Sequence, residues 1–242
     1  MIYSGANYKI VLQPSRSFSK SAFLPFPHFV TFVICAYPFP LLSLSASLFK
    51  PYQMTTISAY LKPISHYPEE LDKAVLSIVE RKCYEKDLLF KPGRVCPYIW
   101  YLQSGLIAIR EDRGDKEVYH WLQDAPAIVI APDSSLDGIK ATRMFIEPIE
   151  PCITHRALIE DVHRVIQEHP AFMRHYVIIN GNYRRLQNER EADLRTLEAE
   201  ERFFKLHKAN PGLFQRTPDE ILMKYIKISH NKFYQCKSRL AA

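Results

Sequence analysis

Two glycines bracket an aromatic-rich segment, and their spacing constrains the fold more than any other feature of the chain. Residues 90–109 read FKPGRVCPYIWYLQSGLIAI and hold two of only seven glycines, Gly93 and Gly105. Gly93 follows a proline, a combination that is typical of a tight turn. The aromatic and β-branched residues 98–103 and the apolar run 106–109 therefore predict two short strands joined by a second turn at Gly105.

The next segment predicts a third strand. Residues 111–116, EDRGDK, have the composition of a polar hairpin loop, and residues 117–122 return to the β-branched and aromatic pattern of a strand. Strands joined by tight turns pair antiparallel. We therefore expect an antiparallel roll or barrel in the middle of the chain.

Composition indicates a globular protein and argues against a disulfide-rich one. Hydrophobic residues make up 47% of the 242 residues and charged residues 24%, as in globular proteins. The five cysteines are widely spaced and odd in number, which argues against a disulfide framework and for a reducing compartment. The net charge is +6, and the last 22 residues carry five basic and no acidic side chains. This basic end indicates nucleic acid, with a solvated helix face as the alternative.

Residues 1–53 differ in composition from the rest of the chain. Residues 21–49 contain no charged side chain, but four prolines interrupt them, and the proline-free run 29–37 is too short to span a bilayer. The second methionine of the chain is Met54. We expect the functional protein to begin there, with residues 1–53 as a non-native or disordered extension. Export or membrane anchoring is the alternative if they are translated.

Helical patterns flank the predicted strands. Residues 67–83 and 156–168 have the character of short amphipathic helices. A longer helix follows, on which apolar residues recur at spacings of four and three; they are Phe172, Tyr176, Ile179, Tyr183 and Leu186. Such a seam packs on its own domain or on a second copy of the chain. The Asn-Gly-Asn sequence at 180–182 weakens the helix in its middle.

The C-terminal residues predict a helix-turn-helix. Thr217 has the side chain of an N-cap and Pro218 suits the first helical position, so a helix is expected to begin there. The sequence Ile-Ser-His at 228–230 interrupts it, and residues 231–240 form a last, basic helix. Two short helices joined in this way are typical of DNA-binding domains.

The order of these features resembles the Crp/Fnr superfamily of regulators. The resemblance rests on KPG, YIWYLQSGLI, a charged hairpin, HWL, a long helix and a terminal helix-turn-helix, and it covers about residues 60–240. It implies an α+β fold with an antiparallel, double-stranded jelly-roll-like β-roll. The implied domains are a β-roll sensor at 54–168, a dimerisation helix at 169–197 and a helix-turn-helix at 198–242.

The resemblance also implies partners and a location. We expect a cytoplasmic homodimer that binds double-stranded DNA and regulates transcription. The seam residues Phe172, Tyr176, Ile179, Tyr183 and Leu186 would form the dimer interface. The alternative is a family member that has lost specific DNA binding and acts as a ligand- or protein-binding module.

The effector loop departs from the family pattern. Family members that bind cyclic nucleotide carry a Gly-Glu pair for the ribose and an arginine for the phosphate. Here the loop lacks the pair, and the arginine position falls near Thr142, beside Arg143. The candidate pocket residues are Asp133, Ser134, Ser135, Lys140, Thr142 and Arg143. We expect cyclic AMP not to bind, and the effector is not identified by the sequence.

The last helix departs as well. The candidate DNA-binding residues are Ser229, Asn231, Lys232, Tyr234, Gln235, Lys237 and Arg239. The family usually has a Ser-Arg pair where Tyr234 and Gln235 stand, and glycine where Lys227 stands in the turn. Arginine reads guanine in the major groove, whereas Gln235 would favour adenine. We therefore expect DNA binding that is mainly electrostatic and weakly sequence-specific.

No sequence motif points to an enzyme. The chain has no dinucleotide-binding glycine motif, no phosphate-binding loop and no nucleophile elbow. Its histidines at 155, 163, 169 and 175 are spaced so that they do not share one helix face. We expect no catalytic residue, no metal and no cofactor.

Overall fold

A computed structural model describes residues 56–114, 116–131, 138, 140–141 and 143–241. The helices are α1 (Ile57–Leu61), α2 (Glu69–Ile78), α3 (Ile159–Glu168), α4 (Ala171–Thr196), α5 (Ala199–Ala209), α6 (Pro211–Arg216), α7 (Asp219–Ile226) and α8 (His230–Ala241). The strands are β1 (Glu80–Tyr84), β2 (Tyr98–Ser104), β3 (Leu106–Arg113), β4 (Lys116–Asp124), β5 (Ala127–Val129), β6 (Met144–Pro148) and β7 (Cys152–Leu158). Within these ranges, no helix combines the length and apolar composition that a membrane crossing requires. Residues 1–53 lie outside the described residues.

The strands form two antiparallel sheets. Sheet A has the order β1-β7-β2-β5, and sheet B has the order β4-β3-β6. Alternate side chains of β2 and β3 point into the space between the sheets and form its core, among them Trp100, Leu102, Ile107 and Ile109. The predicted α+β fold with an antiparallel roll is confirmed.

Gly105 sits at the turn that joins the two sheets. Its φ is +101°, a conformation that side-chain-bearing residues rarely adopt. A Cβ at this position would lie 2.6 Å from Cys152 Sγ and 2.7 Å from the Pro151 carbonyl oxygen. Both the backbone angle and the close approach of β7 therefore require glycine between β2 and β3. Gly93 also has a positive φ, of +97°.

The predicted hairpin is confirmed, but the loop assigned to residues 111–116 is too long. β3 continues to Arg113 and β4 begins at Lys116, with Asp112 opposite Glu117 in the register. The charges that suggested a loop lie on the paired strands. Glu111 Oε2 lies 2.9 Å from the Arg113 guanidinium and 3.2 Å from His120 Nε2, so the hairpin tolerates charge on its surface.

The two short helices are shorter than predicted. α2 ends at Ile78 rather than residue 83, because residues 80–84 form β1 and pair with β7. α3 begins at Ile159 rather than residue 156, because residues 152–158 pair with both β1 and β2. β1 and β2 are distant in sequence from β7, so the local periodicity of each segment does not reveal that they pair.

Helices α1, α2, α3 and the beginning of α4 cover the outer face of sheet A. Leu71, Val75, Val165 and Phe172 are buried there against Tyr101 and Ala157 of the sheet. α4 then runs unbroken through residues 180–182, so the expected weak point does not interrupt it. The Asn180 side-chain amide donates to the Tyr176 carbonyl oxygen at 2.8 Å, within the helix.

The predicted seam of α4 is divided between its own chain and solvent. Phe172 and Tyr183 are buried within the chain, and the Tyr183 ring lies 5.1 Å from the Trp121 ring. Tyr176 and Ile179 are half-buried, whereas Leu186 is 47% exposed. A periodic apolar stripe on α4 thus does not mark a single free surface. The apolar residues Met173 and Val177, on another face of the helix, are exposed as well.

The four C-terminal helices share one core. Phe203, Leu222, Phe233 and Cys236 are fully buried in it, and the Phe203 ring contacts three neighbouring phenylalanine rings. Leu106 of β3 belongs to the same cluster. The helical unit α5–α8 therefore packs directly against one end of the roll.

Candidate nucleic-acid interface and effector region

Helices α7 and α8 form the predicted helix-turn-helix. The chain reverses at Lys227, which has φ 58° and ψ 56°, the left-handed conformation that favours glycine. The predicted start of α7 is shifted, because Pro218 is the N-cap and the helix begins at Asp219. Thr217 does not cap it: its hydroxyl is buried without a hydrogen bond to any described residue.

One face of α8 lies against the core and the other is exposed. Phe233 and Cys236 point inwards, whereas Asn231, Tyr234 and Gln235 are exposed. The Tyr234 ring stacks beside the His230 ring, with centroids 4.7 Å apart. The structure thus places the predicted DNA-binding residues on α8 or in the turn before it, with Lys232 half-buried and the others exposed.

The three cations predicted to bind phosphate are held by carboxylates. Lys232 Nζ lies 2.5 Å from Glu200 Oε2, and Arg239 pairs with the same carboxylate. Lys237 Nζ lies 2.7 Å from Asp219 Oδ2. The hydrogen bond from Lys232 and the charge of Arg239 lower the pKa of Glu200, so this carboxylate stays ionised at neutral pH.

Sequence reasoning missed both carboxylates. Glu200 lies in α5 and Asp219 in α7, so each reaches α8 through the tertiary fold and not through helical spacing. The sequence showed only that the last 22 residues carry no acid, and this absence is local to the segment. Intramolecular pairing therefore leaves the face with less free positive charge than its composition suggests.

Side-chain ion pairs join the helical unit to the roll. Arg216 Nη1 contacts the two carboxylate oxygens of Asp124 at 2.8 and 2.9 Å, and its Nε donates to Glu150 at 3.0 Å. These two partners, Glu150 first, raise the pKa of the Arg216 guanidinium, which burial opposes. Lys224 of α7 lies 2.7 Å from Glu117 of β4. The unit is thus held at a defined position on β4.

Arg190 links the long helix α4 to the roll and to the helix-turn-helix. Its Nη2 donates to the carbonyl oxygens of Tyr119 in β4 and Tyr225 in α7, at 2.8 and 2.9 Å. The guanidinium also lies over the Tyr225 ring, 4.5 Å from its centroid. A shift of α4 would therefore act on the helix-turn-helix through this side chain.

The predicted effector residues are only partly described. Asp133, Ser134, Ser135 and Thr142 lie outside the described residues. Lys140 and Arg143 are exposed on the surface of the roll. The structure therefore does not bring these two cations into the space between the sheets.

The interior of the roll is filled with apolar side chains. Its buried cluster contains Phe90, Trp100, Leu102 and Ile146 together with the thiols of Cys96 and Cys152, and none of the described members is charged. The Trp100 indole N–H is buried without a hydrogen-bond partner among the described residues. Nothing in this cluster would neutralise a phosphate. Among the described residues, no group of three or more His, Cys, Asp or Glu side chains is arranged to hold a metal ion.

Comparison with solved structures identifies the architecture. CLP of Xanthomonas campestris, a c-di-GMP-responsive global regulator, aligns with a TM-score of 0.55 at 14% identity over 72% of this chain and 92% of its own. FixK2 of Bradyrhizobium japonicum aligns with a TM-score of 0.57 at 10% identity, over 68% of this chain and 85% of its own. The fold is that of the Crp/Fnr regulators.

A third solved structure agrees. A variant of CooA from Carboxydothermus hydrogenoformans aligns with a TM-score of 0.53 at 17% identity, over 73% of this chain and 84% of its own. No protein-family model and no curated protein sequence matches the chain. At these identities the likeness to the Crp/Fnr regulators is a likeness of fold.

Proposed function

We propose that this chain is a Crp/Fnr-type transcriptional regulator that binds double-stranded DNA through α8. The observation that carries the proposal is the exposed face of α8, on which Asn231, Tyr234 and Gln235 lie beside Lys232 and Lys237. Amide side chains hydrogen-bond to base edges, aromatic side chains contact the bases, and lysines bind the phosphates. The likeness of fold to the solved regulators supports this assignment.

Fluorescence anisotropy with short labelled duplexes tests the proposal. The full chain is expected to bind random duplexes at about 50 mM salt through phosphate contacts. Gln235→Arg is expected to add a preference for guanine-bearing duplexes, worth about 1–3 kcal/mol. Gln187→Arg, an equal charge change at an exposed position of α4, is the control and should add no base preference.

The proposed regulator is a homodimer that associates through α4. Met173 and Val177 are 46% and 59% exposed and lie one helical turn apart, on the same face. Phe172 and Tyr183 of the predicted seam are buried within the chain, so we place the contact on the face that carries Val177. The two-fold arrangement would present two copies of α8 to DNA.

The proposed effector is not a cyclic nucleotide. The described loop residues Lys140 and Arg143 are exposed, and the interior cluster around Trp100 is apolar. A nucleotide phosphate needs charged or N–H partners in its pocket. Calorimetric titration with cyclic AMP is expected to give no heat of binding at micromolar concentrations. The same result is expected with c-di-GMP, the nucleotide to which CLP responds. Micromolar affinity for cyclic AMP would overturn this part of the proposal.

A second candidate function is a protein-binding module that does not contact DNA. The pairing of Glu200 with Lys232 and Arg239, and of Asp219 with Lys237, favours it, because these carboxylates repel phosphate. The same anisotropy experiment separates the two functions. An absence of binding to any duplex at low salt would favour the protein-binding module.

A further inference from the structure

An apolar cavity lies outside the roll, between the outer face of sheet A and helices α1–α4. The sheet contributes Ile99, Tyr101 and Ala157, while Val162 and Phe172 of the helices close the other side. We call this space the helix–sheet cavity. Because side chains alternate along β2, Tyr101 faces this cavity while Trp100 and Leu102 face the interior of the roll. The cavity is therefore separated from the interior of the roll by sheet A.

The wall of the cavity is almost entirely apolar and partly open to solvent. Two of its polar side chains are already engaged: His155 Nε2 lies 3.0 Å from the Gln103 side-chain oxygen, and the Asn180 amide donates to the Tyr176 carbonyl. Burial lowers the pKa of His155, which keeps the ring neutral. None of the described residues that line the cavity is charged, so an ionised ligand would lose its hydration without compensation.

The size of the cavity limits what it accepts. Its volume is about 70 Å³. A dry cavity of about 150 Å³ lined by similar side chains takes benzene or xenon. The helix–sheet cavity thus has room for an alkyl group of about three or four carbons. Protein interiors are otherwise close-packed, and an unfilled apolar space forfeits contacts that such a group would restore.

We propose that the helix–sheet cavity binds a small uncharged molecule with a short alkyl chain. α4 forms one wall through Phe172, Tyr176 and Ile179, and further along the same helix Arg190 contacts α7. An occupant would therefore bear on the element that reaches the helix-turn-helix. The regulatory part of this inference, that the occupant is an effector, rests on the proposed function; the binding part does not.

Methyl NMR on the full chain tests the binding directly. The probe is n-butanol, and the reporters are the δ1 methyl groups of five isoleucines in the cavity wall, Ile57, Ile78, Ile99, Ile128 and Ile179. We expect saturable shifts at these methyls. Ile107, Ile109 and Ile146 lie in the roll interior and are internal controls that should not shift. Equal shifts at both sets, or no saturation, would overturn the proposal.

Variants sharpen the test. Ala157→Leu adds three carbons inside the cavity and should weaken butanol binding at least tenfold, whereas Ala192→Leu, at an exposed site of α4, should leave it unchanged. If Ala157→Leu does not fold, Val162→Ala enlarges the cavity and should admit n-hexanol more tightly than the unsubstituted chain does. Butyrate should bind at least tenfold more weakly than butanol. Equal affinity for butyrate would contradict an apolar site.

Measuring DNA affinity with and without butanol separates the two levels of the inference. A change in affinity that Ala157→Leu abolishes supports the effector role. Saturable NMR shifts with an unchanged DNA affinity overturn the effector role and leave the binding site standing. A chain that binds no DNA contradicts the proposed function, and the NMR result then decides the binding site by itself.

Discussion

The carboxylate of Glu200 on α5 lies 2.5 Å from the ammonium group of Lys232 on α8, and the same carboxylate pairs with Arg239. The first helix of the C-terminal unit thus neutralises part of the helix that we propose meets DNA. Such partly exposed pairs are individually weak, because water and salt screen them. Phosphates can therefore displace them, but the carboxylate remains nearby and opposes the approach of DNA.

Removing this carboxylate is expected to strengthen DNA binding. In Glu200→Gln, both Lys232 and Arg239 become available to phosphates, so affinity should rise about tenfold at about 50 mM salt. The gain should shrink as salt increases, because it is electrostatic. Anisotropy titration measures it. Glu189→Gln, at an exposed site of α4, is the control, and an equal gain in both variants would contradict a local role for Glu200.

The exposed face of α4 predicts the assembly state. Val177→Asp places a charge on the proposed contact and should convert the dimer into a monomer in light scattering at micromolar concentration, because an unpaired charge in an apolar contact is costly. Asn182→Asp, exposed elsewhere on α4, should remain dimeric. A monomeric mass for the unsubstituted chain would contradict the proposed dimer.

The backbone of the helix-turn-helix is strained in its turn, at Lys227. Lys227 has a left-handed φ of 58°, which costs a side-chain-bearing residue about 1–2 kcal/mol. Lys227→Gly should therefore raise the free energy of unfolding by about 0.5–1 kcal/mol, measured by urea denaturation. Lys208→Gly, on the exposed surface of helix α5, should lower it by about the same amount. Destabilisation by both substitutions would show that the turn is not strained.

The cysteines should differ in reactivity. Burial raises the pKa of the Cys152 thiol to about 11, so it stays protonated at pH 8, whereas Cys83 is exposed. Disulfide-exchange reagents should therefore label Cys83 in the native protein and Cys152 only after unfolding, as read by mass spectrometry of the labelled peptides. The folded state holds this proton more tightly than the unfolded state, so the contribution of Cys152 to stability should fall between about pH 9 and 11. Rapid native labelling of Cys152 would contradict its burial.

The features that the sequence predicted are those set by local chemistry. Gly105 predicted the turn because a positive φ favours glycine. The residues of β2 predicted the strand because a pleated, buried strand favours aromatic and β-branched side chains. The α7–α8 boundary was predicted for the same reason. The lengths of α2 and α3 were not, because the pairing of β7 with β1 and β2 overrides helical periodicity.

The features that the sequence did not predict depend on tertiary neighbours. Apolar spacing on α4 marked Phe172 and Tyr183, but it did not reveal that the same chain covers both. The basic composition of α8 marked Lys232 and Lys237 without their partners on α5 and α7. The helix–sheet cavity is lined by residues from 57 to 180, and each segment alone has the pattern of an ordinary core.

The salt dependence of DNA binding by the full chain tests the central proposal most directly. Anisotropy with random duplexes should give an affinity whose logarithm falls linearly with the logarithm of salt between about 50 and 200 mM, with a slope of about −0.9 for each phosphate contact. Lys237→Ala should reduce the steepness of that slope and weaken binding to all duplexes alike. An absence of binding at about 50 mM salt, or an affinity that salt does not change, would contradict the account.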